Sequence, residues 1–551
     1  MRSILPLLVV ASALALGWNI GGYHFLDPDE GRNAEIAREM AATHDYLVPH
    51  LDGLPYLDKP IVYFAAAAAV MQAFGPSETA ARVPAYVATL ATITLLIWFA
   101  RRRWGAVAGW LAGLAFATMP LTLAYAHTAI FDSTLTFCVA AAMICFLEQW
   151  TTLAWVALAV GAITKGPIAI FVPLVAVVPY AIATGRAARI VSARSLAAFA
   201  VVGLPWFLAV TARLPEFPHY AFVVETFQRF TTTSFHRTAP VWYYVPILPV
   251  AAFPWIVPAC AGLGNWRSAW RARGEERARE PLWLSAWVVA PLILFTLNRS
   301  KLPQYVLPVL PALALAAART LAQAGPRAAW RPYVVGAAVA GLAFLAVPVL
   351  LLSALPLTSA ERAAVPVPTL ALGVALLVSA AGVALAARRG SVELSALAYA
   401  LVVLVLPFST GGLMGAVGDD RSAARLADAI RPALGEHVEI LAIAAYPPSL
   451  PFYLGRTVPV ATRDAVELTS NYIIAYQARY RAIAGSPLRA PDEWQGVLEQ
   501  CATPTVFVAR ADDHVVRSDL AALPLLGDDG HYAAYGPCRS PSPPSGEGAG
   551  G

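Results

Sequence analysis

Apolar runs long enough to approach the width of a bilayer recur through the first 413 residues of the chain. A spanning helix takes about 20 mainly apolar residues. Thirteen segments meet or nearly meet that length: 3–22, 80–100, 105–125, 133–150, 151–164, 166–184, 195–212, 241–264, 281–297, 303–322, 332–354, 367–387 and 391–413. Segment 151–164 is short and needs Thr151 or Lys165 at an interface. The first run is followed by many others, so an uncleaved anchor is expected rather than a signal peptide.

Segment 61–75, IVYFAAAAAVMQAFG, is apolar but only about 15 residues long. If it spanned, Arg101, Arg102 and Arg103 would face outward. Laid in the membrane surface, it leaves those three on the cytoplasmic side. Arg186/Arg189/Arg194, Arg267 to Arg279, Arg327/Arg331 and Arg388/Arg389 then fall there too. The bias of arginine toward cytoplasmic loops selects that arrangement. It makes the N-terminus cytoplasmic. An odd number of spans puts residues 414–551 outside, in the periplasm of a Gram-negative cell.

Past residue 413 the pattern changes. SAARLADAIRPAL carries helical spacing, while HVEILAIAA and PTVFVAR (504–510) carry strand spacing, so a small α/β domain is expected over 414–538. The Pro/Gly/Ser-rich stretch 539–551 is expected to be disordered.

Composition agrees with the pattern. Apolar residues make up 58% and charged residues 13%, about half the charge of a soluble domain. Mean hydropathy is +0.61. So few charges cannot cover several soluble domains or keep a chain disordered. A net charge of +5, with arginines scattered between apolar runs, gives no nucleic-acid face. The chain reads as a polytopic membrane protein.

Cys138, Cys145 and Cys260 fall in apolar runs and read as inert small hydrophobes. Cys501 and Cys538 are the only cysteines expected outside, in an oxidising compartment. A bond between them would contribute about 3–4 kcal/mol by restricting the unfolded chain. No C-x-x-C pair, P-loop, H-E-x-x-H or G-x-S-x-G occurs.

Of 39 basic side chains only Lys59, Lys165 and Lys301 are lysines. All three fall in outward loops, as do His24, His44, His50, His127, His219 and His236. Loop 23–60 alone holds eight carboxylates, three bases and three histidines. A transporter places ionisable groups inside spans near the midplane. Polar groups crowded on one face suit a reaction at the membrane–water boundary, or a solvated loop with helix caps. Asp27, Asp29 and Glu30 precede an amphipathic helix, where carboxylates serve as caps, as a general base or as cation ligands.

The runs D-E-G-R-N-A-E-I-A-R-E-M and D-Y-L-V-P-H-L-D-G-L-P-Y-L-D-K-P resemble bacterial relatives of the protein O-mannosyltransferases, and within them the lipid A 4-amino-4-deoxy-L-arabinose transferases. Further matches follow in order: A-H-T-A-I-F-D (126–132), T-K-G-P (164–167), E-T-F-Q-R-F (225–230), H-R-T-A-P-V-W-Y-Y-V-P (236–246), S-K-L-P-Q-Y-V-L-P (300–308) and Y-P-P-S-L-P-F-Y-L-G-R (446–456). The resemblance covers roughly residues 20–460.

It implies a GT-C fold: a transmembrane catalytic domain of about thirteen helices over 1–413, interfacial helices within 23–79, and a periplasmic α/β domain. It also implies the reaction, in which a sugar leaves a polyprenyl (undecaprenyl) phosphate carrier with inversion and joins lipid A or a related envelope glycolipid. The enzyme would sit in the inner membrane. The leaving group is a phosphate anion, so fixed cations must meet it.

By motif position, Asp29 matches the family's catalytic aspartate and Asp132 a second acidic position, although Asp132 also suits a helix cap. Lys59, Lys301 and Tyr305 match positions expected at the carrier phosphate, and Arg229 and Arg237 join them as candidates or as interfacial snorkellers. Lys165 either joins the site or anchors a short span. Two departures bear on metal binding. The family's E-K-P is here D-K-P, with Asp58, and Thr226 replaces a histidine that forms part of a metal site in some relatives. Asp58 and His236 alone make a weak site, so no required metal is expected.

Protein O-glycosylation from the same donor class is the alternative within enzymes. A lipid-linked sugar transporter or flippase is the alternative outside them. It would need ionisable residues within spans or an internal repeat, and neither is evident in the sequence.

Overall fold

The computed structural model describes residues 3–228, 239–264, 266–350, 352, 354–435 and 437–538. The expected disordered tail, 539–551, lies outside the described residues. Two compact units divide the chain. The first comprises 1–23, 59–70 and 77–416, the second 24–58, 71–76 and 417–551. Most of the first polar loop groups with the C-terminal residues.

The first unit is helical. Seven helices among the described residues are long and apolar enough to cross a membrane, or up to nine if each of two bent pairs is one span. The bends are 64° between Ala106–Ala117 and Pro120–Ala126, and 112° between Tyr244–Ala251 and Ile256–Arg271. Leu5–Gly17, Val62–Phe74, Asp132–Leu147, Thr151–Lys165 and Ile168–Ala183 are apolar but fall short of that length. Turn residues set the limits: Gly166, at φ 79°, closes Thr151–Lys165, and Pro167 opens the next helix.

Burial sorts these helices. Ala193–Arg213 and Trp330–Pro348 are mostly exposed along apolar surface, while Pro303–Ala324 is mostly enclosed. Its alanine-rich part, Leu310–Ala324, packs against Glu78–Trp104, Ala106–Ala117, Ile256–Leu263 and Arg279–Leu297. Small residues let helix backbones approach closely where lipid supplies no hydrophobic drive. At Gly341 an added Cβ would lie 3.0 Å from the Gly373 carbonyl oxygen on the neighbouring helix.

Helix Asp132–Leu147 separates two polar regions. Its 16 residues span about 24 Å at 1.5 Å each. Beyond its C-terminal end, Glu148 lies 3.9 Å from Arg103, whose Nε donates to Glu280 at 2.7 Å. Trp104 and Arg319 also approach Glu280. Asp132 stands at the opposite end.

The second unit contains a β-hairpin and a six-stranded sheet. Strands β1 (His50–Leu51) and β2 (Leu54–Pro55) pair antiparallel around Asp52-Gly53, both at positive φ, the conformation of a tight two-residue hairpin turn. The sheet uses β3 (Glu439–Ile443), β4 (Val460–Ala461), β5 (Leu488–Arg489), β6 (Thr505–Arg510), β7 (Leu525–Asp528) and β8 (Tyr532–Tyr535). Its order is β5-β4-β3-β6-β8-β7, with β5, β4, β3 and β6 parallel and β8 antiparallel to β6. The apolar strands β3 and β6 lie at its centre and bury nearly every side chain. The two expected strands and the helix Ala424–Ile430 are all present. A disulfide joins Cys501 to Cys538, with Cα atoms 6.0 Å apart, beside Trp494 and Phe507 in the same core.

Candidate functional site

In the first unit, Asp132 is the first residue of its helix, and Lys165 is the last residue of Thr151–Lys165. A carboxylate suits a helix N-terminus and a cation a C-terminus. Lys165 Nζ donates to Asp132 Oδ1, and both side chains are nearly buried. Asp132 thus enters an ion pair at the N-terminal end of its helix. Lys165 Nζ also stands 5.7 Å from the centre of the Tyr305 ring, which packs on Phe295.

Lys301 is 6% exposed. Its Nζ donates to the carbonyl oxygens of Asn298 (2.6 Å) and Ala239 (3.1 Å). Carbonyl dipoles thus replace water around a buried cation. Lys59 is half-buried, just before helix Val62–Phe74. Arg229, Arg237 and His236 lie outside the described residues.

In the second unit, Asp29 opens helix Asp29–Thr43, and Arg32 follows one turn later. Arg32 Nη2 donates to Asp29 Oδ1 at 2.5 Å, and Nη1 to Thr469 Oγ1 at 2.7 Å. Burial opposes the charge on Arg32, but Tyr56, Asp29 and Asp58 outweigh it and hold its pKa above the usual value. Asp29 itself keeps 44% of its side chain exposed. The site therefore holds one accessible carboxylate, oriented by a nearly buried guanidinium.

Neighbouring carboxylates have structural partners. Asp27 Oδ2 accepts from Ser449 Oγ at 2.6 Å and from Ser449 N at 3.2 Å. Burial, only partly offset by those bonds, pushes Asp27 up to about 7. Gly31 sits against the same clasp. A Cβ there would lie 2.0 Å from Asp27 Oδ1 and 2.6 Å from Ser449 Cβ. Glu35 takes both forks of Arg38, at 2.7 and 2.6 Å. Asp52 accepts from Val458 N at 2.6 Å. Burial raises Glu35 and Glu39 on this helix and Asp52 in the hairpin turn, and their hydrogen bonds offset it only in part.

Asp58 was a metal candidate. Its two oxygens accept from the amides of Asn471 (2.9 Å) and Tyr472 (2.8 Å) at the start of helix Asn471–Arg481. The D-K-P aspartate thus caps the N-terminal amides of that helix. Among the described residues no group of three His, Cys, Asp or Glu is arranged to hold a metal ion.

Two partners in these pairs were undervalued by sequence reasoning. Arg32, three residues after Asp29, has the spacing of a helical ion pair and was legible. Lys165 lies 33 residues from Asp132, and only the helix packing joins them.

Residues 22–221 match the family model described as dolichyl-phosphate-mannose-protein mannosyltransferase. Curated relatives include the undecaprenyl phosphate-alpha-4-amino-4-deoxy-L-arabinose arabinosyl transferases of Aeromonas salmonicida and Yersinia enterocolitica. The first is 35% identical over 323 residues, 55% of this chain and 58% of the relative. The second is 35% identical over 305 residues, 52% of this chain and 54% of the relative. The chain thus spans little more than half the length of these relatives. Crystal structures of ArnT from Cupriavidus metallidurans align across 96% of this chain and 97% of theirs. The form bound to undecaprenyl phosphate has a TM-score of 0.82 at 26% identity. The apo form has a TM-score of 0.80 at 27% identity. The largely helical GT-C fold is therefore present, and the chain is a multi-pass membrane protein.

Proposed function

We propose that this chain, a member of the GT-C glycosyltransferase family that includes the protein mannosyltransferases and the aminoarabinose transferases, moves a sugar from undecaprenyl phosphate to lipid A or a related envelope glycolipid. The observation that carries this reading is the likeness, over nearly the whole chain, to a transferase solved with undecaprenyl phosphate. The curated relatives support an aminopentose as the sugar.

In this reading Asp29 faces the acceptor. It takes the proton of a hydroxyl acceptor, or stabilises positive charge on the sugar when the acceptor is a phosphate. Arg32 orients that carboxylate. Lys59, Lys301, Arg229, Arg237 and the Tyr305 hydroxyl meet the carrier phosphate as it leaves. Lys301 does so by exchanging one of its two carbonyl partners for a phosphate oxygen. The Asp132–Lys165 pair contributes a fixed dipole beside Tyr305.

The same reading makes the protein an inner-membrane enzyme with a cytoplasmic N-terminus. It has thirteen spans if both bent pairs and every short apolar helix except Val62–Phe74 cross. The second unit is then periplasmic. A protein acceptor is the second reading, favoured by the description of the family model over 22–221. Mass spectrometry of lipid A from a deletion strain separates the two. Loss of a lipid A substituent, restored by the wild-type gene but not by Asp29→Ala, supports the glycolipid acceptor. Unchanged lipid A with altered glycoproteins supports the protein acceptor.

A further inference from the structure

A cavity of about 530 Å³ lies wholly within the second unit, at the carboxyl end of its central strands. Its walls include Ala444, Ala445 and Tyr446, just past the end of β3, and Arg510, the last residue of β6. Tyr532, opposite Arg510 in register, closes another side. From β3 the chain first builds β4 and β5 on one flank, then returns to place β6 on the other. The cavity therefore opens at the carboxyl ends of parallel strands where the winding reverses, the position at which open α/β sheets bind ligands.

The lining has a charge imbalance. Asp420, Glu467 and Asp529 contribute three carboxylates, and Asp27 a carboxyl raised to about 7, against the guanidiniums of Arg421 and Arg510. Arg510 is engaged by Asp512, at 2.9 and 3.0 Å. His531 stands 3.8 Å from Asp420. Asp27 Oδ1 is buried without a hydrogen-bond partner among the described residues. Burial and the nearby Asp27 charge raise the Tyr532 hydroxyl, which keeps it a neutral donor. An acidic excess with hydroxyl, imidazole and aromatic groups complements a ligand that carries both hydroxyls and an ammonium.

We infer that this cavity is a binding site for an amino-sugar head group. The inference goes beyond the transfer reading, because it rests on the cavity and its lining and not on Asp29 or the lysines. Such a head group has two sources, a carrier-linked amino sugar or an amino sugar already attached to a glycolipid.

The test uses the full chain in detergent, with free glucosamine as probe and saturation-transfer NMR as readout. Saturable binding is expected, with glucose binding at least tenfold more weakly. Asp420→Asn and Tyr532→Phe should each weaken binding about tenfold, the effect of losing one hydrogen-bonding contact. Displacement of the probe by carrier-linked aminoarabinose assigns the first source, and by aminoarabinose-bearing lipid A the second. No saturable binding, equal binding of glucose, indifference to both variants, or displacement by neither glycolipid overturns the inference. Binding is read without turnover, so failure here leaves the transfer reading standing. Loss of transfer with intact binding would do the reverse.

Discussion

Ser449 Oγ donates to Asp27 Oδ2 at 2.6 Å, linking residues 422 apart in the sequence. Ser449 is fully buried, and its Oγ also accepts from Ala423 N at 2.9 Å. Two residues after Asp27, Asp29 begins its helix. The clasp thus fixes where the accessible carboxylate of the site starts.

The clasp has a pH signature. The pKa of Asp27 is raised from 3.8 to about 7 in the folded protein, so the folded state holds a proton that the unfolded chain releases. Stability contributed by that proton is present at low pH and lost as pH rises through about 7. Asp27→Asn keeps the shape and cannot ionise. Thermal unfolding followed from about pH 5 to 8 should show a falling midpoint for the wild type and a flatter line for Asp27→Asn. Equal slopes would mean that Asp27 does not carry the effect.

The Asp132–Lys165 pair should behave as a unit. Both groups are nearly buried, so removing one partner leaves an uncompensated charge. Lys165→Met should destabilise the protein by about 3–5 kcal/mol. Adding Asp132→Asn should restore much of the yield of folded protein, measured by size-exclusion chromatography after detergent extraction. If Lys165→Met alone extracts and elutes like the wild type, the pair is not buried in the working protein.

Asp29 distinguishes the chemistry of the acceptor. With a hydroxyl acceptor, Asp29→Asn should cost about 10²–10⁴-fold in kcat, because the amide cannot take the proton. With a phosphate acceptor, Asn should retain partial activity where Ala does not. Wild-type activity in Asp29→Ala would reduce the carboxylate to a partner of Arg32.

The disulfide should matter to the second unit. Cys501→Ser with Cys538→Ser should lower its stability by about 3–4 kcal/mol in the chain-entropy model. Urea unfolding of oxidised and reduced wild type checks this, and coincident curves would contradict it.

Much of this was legible in the sequence because the signals are local. Long apolar runs located the membrane helices, and short apolar runs between polar stretches located β3 and β6. The D-E-G-R-N run located the helix that carries Asp29. What stayed hidden depends on contacts across the chain. Residues 24–58 read as part of the membrane domain, yet Asp27, Asp52 and Asp58 bond to Ser449, Val458 and Asn471. No spacing rule links positions so far apart. Asp58 read as a metal candidate because it stands where the resembling family has a glutamate, while its bonds to the amides of Asn471 and Tyr472 depend on where helix Asn471–Arg481 begins.

Transfer itself is the most direct test. Purified full-length protein is mixed with undecaprenyl phosphate-linked aminoarabinose and lipid A, and both lipids are followed by mass spectrometry. The account predicts that lipid A gains one aminopentose as free undecaprenyl phosphate appears in equal amount, and that Asp29→Ala abolishes both changes. Carrier that stays fully loaded beside unmodified lipid A, with folded protein at saturating donor, would contradict it.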